Sequence, residues 1–224
     1  MVTVRNPRVA VVSNGGAMIL VPAKVTDVDE RTAPELTARW RAADGFPPEI
    51  AQLLRSQEAT RSATLLLAIP EHRVRLAGGV WAAPADLWAL ARTPRGLLSI
   101  VVGTDGAEPA GATARASQSA CEHEQTDRAV RSLLEIDRES ERAIGSQLFH
   151  RTACALIEAR RFFAATAAVI VHSFGARADS FLEFQSFAGQ MGGLLQRPGE
   201  LTRVPPREGI DLFLGWAEAP LQQV

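Results

Sequence analysis

Val171-His172-Ser173-Phe174-Gly175 sets a histidine and a hydroxyl side by side after an apolar run, the pattern of a nucleophile on a sharp strand-to-helix turn. Two features oppose serine hydrolase chemistry. Val171 stands where such a turn wants glycine, and no histidine follows Ser173, although the hydrolase order places the triad histidine last. His172 and Ser173 are better read as capping a strand end or hydrogen-bonding across a site. A second group, Gln147, Arg151, Cys154, Glu158 and Arg161, recurs at helical spacing as a polar stripe. For Glu158 and Arg161 the simpler reading is a solvated face with one i,i+3 pair, worth a few tenths of a kcal/mol. Soft-metal sites are weakly indicated: His150 and Cys154 stand at i,i+4 and Cys121-Glu122-His123 is compact, but neither C-x-x-C nor H-E-x-x-H occurs. No glycine-rich phosphate loop or dinucleotide fingerprint is present.

The elements that must position these residues follow from periodicity. Val9–Val12 and Ala17–Val21 flank Ser13-Asn14-Gly15-Gly16, which predicts a hairpin with a tight turn. A helix is expected over 33–43, with Thr32 as cap and Gly45 as stop, and a shorter one from Pro47-Pro48 through Leu54. The stretch 62–69 is helix-compatible. Strands are expected at 72–76, 86–91 and 97–102, then a loop over 104–126. Helices are expected at 127–134 and 144–163, a buried strand at 165–171, a helix at 178–191, a Pro-rich loop at 197–209 and a last strand at 210–216. Phe181, Phe184, Phe187 and Met191 share a helical face and are read as core, as are Trp40, Trp81, Trp88 and Trp216.

Composition narrows the class. The 224 residues suit one large domain, and 46% hydrophobic with 22% charged residues is ordinary for a soluble protein. Lys24 is the only lysine among 24 basic residues, the rest being arginine. A net charge of −1 gives no chain-wide attraction for nucleic acid, so any such affinity must come from a local arginine patch. Two cysteines make no disulfide framework, and the start lacks a signal-peptide pattern. The longest apolar run is too short to span a bilayer, so the expectation is a cytoplasmic protein away from membranes.

Helix, three strands, helix, strand is an order that predicts a mixed sheet flanked by helices. The stretches Ile69-Pro70-Glu71-His72-Arg73-Val74-Arg75-Leu76, Gln147-Leu148-Phe149-His150-Arg151-Thr152 and Val169-Ile170-Val171-His172-Ser173-Phe174 resemble a bacterial family of unknown function. That family is itself similar to the restriction-endonuclease-like, or PD-(D/E)XK, superfamily. The resemblance covers roughly 32–217. It implies an α/β restriction-endonuclease-like domain over 32–224 with α-β-β-β-α-β core order, a hairpin extension over 1–31, and a C-terminal helix–strand extension.

In such nucleases an aspartate and a following acidic-x-Lys strand hold divalent metal, which acidifies water and offsets phosphate charge. The resemblance maps the first acid to Asp86. Where it implies Val-Glu-x-Lys, this chain has Val102-Gly103-Thr104-Asp105, so a ligand and a cation are both missing. Glu108 matches a further acid downstream and Glu71 one upstream. Losing a single preorganised group of this kind costs roughly 10²–10³-fold in rate. The leading expectation is therefore an eroded site that acts by binding rather than catalysis, on nucleic acid, a protein partner or a second copy. The alternative is a rearranged carboxylate site of Asp86, Asp105, Glu108 and Glu71 binding Mg²⁺ or Mn²⁺, since clustered carboxylates call for a hard cation. The resemblance also points Gln147, with Arg151, towards the site, and His150, His172 and Ser173 are candidates for contacting substrate. A third reading is a scaffold adopted for unrelated small-molecule chemistry.

Overall fold

A computed structural model describes residues 9–14, 17–22, 34–76, 85–105, 120–137, 139, 146–175 and 178–220. The elements are β1 (Val9–Asn14), β2 (Ala17–Pro22), α1 (Pro34–Ala42), α2 (Pro48–Arg55), β3 (Thr64–His72), β4 (Ala85–Thr93) and β5 (Gly96–Gly103). They continue as α3 (Ala120–Leu134), α4 (Ser146–Arg161), β6 (Thr166–Phe174), α5 (Ala178–Gln190), β7 (Leu201–Arg207) and β8 (Ile210–Ala219).

All strands join one mixed sheet in the order β1-β2-β3-β4-β5-β6-β8-β7. The expected N-terminal hairpin is present, with β1 antiparallel to β2, and β2 runs parallel to β3. Gly15 and Gly16 of its turn, and Trp81, lie outside the described residues. β3, β4 and β5 form an antiparallel meander, and β5, β6 and β8 run parallel. The parallel strands are joined through α3–α4 and α5, as crossover connections require.

Side-chain alternation divides the core in two. On one face Trp88, Leu90, Val101, Val169, Val171, Leu214 and Trp216 pack beneath α3, α4 and α5, which supply Val130, Phe149, Leu156, Phe184 and Phe187. On the other, Leu87, Ala89, Ile100, Val102, Ala168, Ile170 and Phe213 meet Leu36 and Trp40 of α1 and Ile50, Leu53 and Leu54 of α2. Strands covered on both sides read as nearly continuous apolar runs, which is why β5 and β6 were recognisable. Parity then sends Asp86, Gly103 and Ser173 to the α4 face, and His172 to the α1–α2 face. One polar bridge crosses the α4 side: the Trp88 indole donates to Ser99 Oγ at 3.0 Å, and Ser99 donates to the Ala155 carbonyl at 2.9 Å.

Four expectations about elements need correction. The segment 62–69 is not helix but strand from Thr64 onward: β3 pairs with β4 along its length. Its Leu-Leu-Leu-Ala run carries no strand propensity of its own, and a bulge between Leu65 and Leu67 breaks the alternation. The strand expected at 72–76 is therefore only the tail of β3, followed by irregular chain. The Pro-rich loop at 197–209 contains β7, an edge strand whose exposed Pro205 and Pro206 sit at a register shift, where missing N–H donors cost nothing. The loop of 104–126 is shorter at its C-terminal side, because α3 begins at Ala120 rather than 127.

Candidate functional site

The carboxyl ends of β5 and β6, the start of β4 and the first turns of α4 meet in a polar cluster. At its centre Arg151 Nη2 donates to Asp86 Oδ2 at 2.9 Å, with both side chains almost wholly buried. The Thr104 amide donates to the same carboxylate oxygen at 2.9 Å, and Arg151 Nη1 donates to the Thr104 carbonyl at 3.2 Å. The guanidinium thus clamps the end of β5 to the start of β4.

Gly103 makes this possible by close approach. A Cβ there would overlap Cζ, Nε and Nη1 of Arg151. The position that the resemblance assigns to an acidic ligand is therefore the space in which the guanidinium lies. Among the described residues Arg151 Nε is buried without a hydrogen-bond partner.

Asp105 follows directly and accepts a hydrogen bond from Ser173 Oγ at 2.7 Å; the hydroxyl also reaches the Gly175 carbonyl at 2.9 Å. Ser173 is thus held at the strand end and has no histidine partner in these contacts. On the opposite face His172 Nε2 lies 2.8 Å from Glu49 Oε1. Arg39 grips the same carboxylate from α1, through Nε at 2.8 Å and Nη2 at 3.1 Å. Burial opposes the Glu49 charge, but the Arg39 hydrogen bonds, a backbone donor and His172 hold its carboxyl below the usual range. Burial likewise drives the His172 ring below the usual imidazole range, with Glu49 and Asp105 opposing and Arg39 reinforcing the shift.

Other candidates lie elsewhere. His150 is buried but turns to α3, with Nε2 3.0 Å from Asp127 Oδ1, and so ties α3 to α4. Gln147 is half-buried one turn before Arg151 and makes no hydrogen bond to the cluster among the described residues. Glu71 is bracketed with Asp86 by the pairs Pro70–Leu87 and His72–Ala85, yet its φ is +52° and its side chain is exposed. Glu108 lies outside the described residues.

The solvated-face expectation for the α4 stripe holds for Arg161 and fails for Glu158. Glu158 is fully buried, accepting from Arg161 at 2.6 Å with His72 Nε2 3.1 Å away. Glu158 meets β3 through His72, which stacks on Trp88 of β4, while Trp88 stacks in turn on Phe162. Cys154 is buried in the same layer, where burial pushes its thiol well above the usual range and the Glu158 charge adds to the effect.

A metal ion needs converging anionic ligands. Asp86 offers one carboxylate, already engaged by a cation, and its neighbour at 103 offers none. No group of three His, Cys, Asp or Glu among the described residues is arranged to hold a metal. The donor set among the described residues does not fit Mg²⁺ or Mn²⁺ at Asp86. What it does chemically is bind one buried cation, its own arginine, and fix the end of β5.

Reasoning from the sequence missed Arg39 and Glu49. Each looks like an ordinary charge on a short amphipathic helix, and only the fold brings them to His172. No helix among the described residues is long and apolar enough to cross a membrane.

Residues 17–221 match the profile of a domain of unknown function (DUF6946), and the chain belongs to that family. No curated protein and no solved structure matches it.

Proposed function

We propose that this member of the DUF6946 family is a binding protein on a restriction-endonuclease-like scaffold, in which Arg151 fills the place of the catalytic metal and its second ligand. The observation that carries the reading is the Asp86–Arg151 pair seated over Gly103. A nuclease would place a divalent cation beside the first carboxylate; here a fixed guanidinium neutralises it, and an added metal would face electrostatic repulsion. The strand directions also support the scaffold reading: an antiparallel β3-β4-β5 meander, then a helical crossover to a parallel β6, preceded by α1 and α2.

The ligand class this scaffold suggests is nucleic acid, contacted through local arginines. Arg73 and Arg75, both exposed just past β3, flank buried Val74 beside the start of β4. Plasmid DNA, single-stranded DNA and RNA incubated with Mg²⁺ or Mn²⁺ should remain intact. Fluorescence anisotropy on the same nucleic acids should detect salt-sensitive binding that Arg73→Ala with Arg75→Ala weakens. Metal-dependent cleavage that disappears in Asp86→Ala would overturn this reading in favour of a rebuilt nuclease site. Absence of binding to any of the three would move the ligand to a protein partner or a second copy.

A further inference from the structure

We propose that His172 is a proton-operated latch that holds α1 and α2 on the sheet, closed while its ring is neutral and loosened when the ring gains a proton. The ring is fully buried at the end of β6 and packs against Phe174, with centroids 4.6 Å apart. Its Nε2 meets Glu49 of α2, and Glu49 is gripped in turn by Arg39 of α1. One imidazole therefore ties both helices to the strand.

Proton counting gives the direction. A neutral ring with its hydrogen on Nε2 donates to the ionised Glu49 and leaves Nδ1 as a lone pair. Nδ1 is buried and has no hydrogen-bond partner among the described residues. A charged ring carries a second N–H at Nδ1, which there would be an unmet donor on a buried cation. Among the described residues the charged groups facing the ring are Arg39 from α1, Glu49 from α2 and Asp105 from the segment after β5. Asp105 attracts a positive ring, but its Oδ2 takes the Ser173 hydroxyl. Arg39 repels one. Solvation of the ring, available once the helices lift, relieves the buried charge.

Protons therefore bind more tightly to the open form than to the closed form. Below the ordinary imidazole range the opening equilibrium of α1 and α2 should grow, by at most about tenfold per pH unit for one proton. This inference is independent of what the Asp86 region binds.

Hydrogen exchange on the full chain between pH 7 and pH 5, corrected for intrinsic rates, reads that equilibrium directly. We expect α1 and α2 amides to lose protection on acidification, approaching the one-proton slope, while His172→Gln, which keeps a donor to Glu49 without titrating, removes the slope. A wild-type protein with no slope, or a slope unchanged in His172→Gln, would overturn the latch. Nitrogen chemical shifts of labelled imidazoles keep the idea testable if that variant does not fold. A His172 ring neutral and protonated only on Nε2 until α1 and α2 open supports it. A ring already charged at pH 6 with both helices fully protected refutes it.

Discussion

Truncating Asp86 to alanine leaves the Arg151 guanidinium, only 4% exposed, with the Thr104 carbonyl as its acceptor in the cluster. At a separation near 3 Å and an effective dielectric of about 20, the lost attraction is roughly 6 kcal/mol. Desolvation of the two ions, several kcal/mol each, offsets most of it, so the intact pair contributes little net stability. Breaking it is another matter. The surviving ion keeps its desolvation cost and loses its compensation, so Asp86→Ala and Arg151→Met should each cost about 3–5 kcal/mol. The double variant buries no uncompensated charge and should be no less stable than either single variant. A double-mutant cycle should then return a coupling at least as large as one single effect, about 3–5 kcal/mol. Guanidinium denaturation followed by tryptophan fluorescence is well suited, because Trp40, Trp88 and Trp216 are all buried. Additive single effects, or an Asp86→Ala cost below about 1 kcal/mol, would refute the claim that this is a buried, mutually dependent pair.

Gly103→Ala should cost as much as breaking the ion pair, about 3–5 kcal/mol, because its Cβ evicts the guanidinium; in an Arg151→Met background the same denaturation assay should show a much smaller loss. Ser99→Ala strands the buried Trp88 indole N–H and should lower stability by about 1–3 kcal/mol in the same measurement. Cys154 should resist thiol reagents at pH 8 in the native protein and react fully once denaturant is added, which a colorimetric thiol count would check. The folded Glu49 carboxyl lies below its usual 4.5, so its contribution is present above that pH and is lost as pH falls through the folded value; Glu49→Gln should flatten this acid limb of a stability–pH profile.

The α1–α2 pair, the buried strands β5 and β6 and the long α4 were legible because caps, prolines and apolar runs there agree with the final packing. β3 was not, because Leu65, Leu66, Leu67 and Ala68 favour helix locally and are held extended by pairing with β4 and β2 on either side. β7 was hidden by Pro205 and Pro206, which look like loop until the strand is known to lie at an edge. The candidate site divides the same way. Asp86 and the gap at Gly103 stood out by resemblance. The reason for the gap, a guanidinium reaching back from a helix 48 positions later in the chain, depends on tertiary contact alone. Glu158 was misread because helical spacing locates a stripe but does not say which neighbour covers it.

The close approach of Arg151 to Gly103 also binds the fates of the two positions together. A side chain at position 103 would occupy the space in which the guanidinium now lies. An acid introduced at 103 would collide with Arg151 as it now lies. Placing a side chain at 103 therefore demands a second change at Arg151, and that change leaves Asp86 buried without its counter-charge. The pair behaves as a ratchet: each residue makes the other hard to replace.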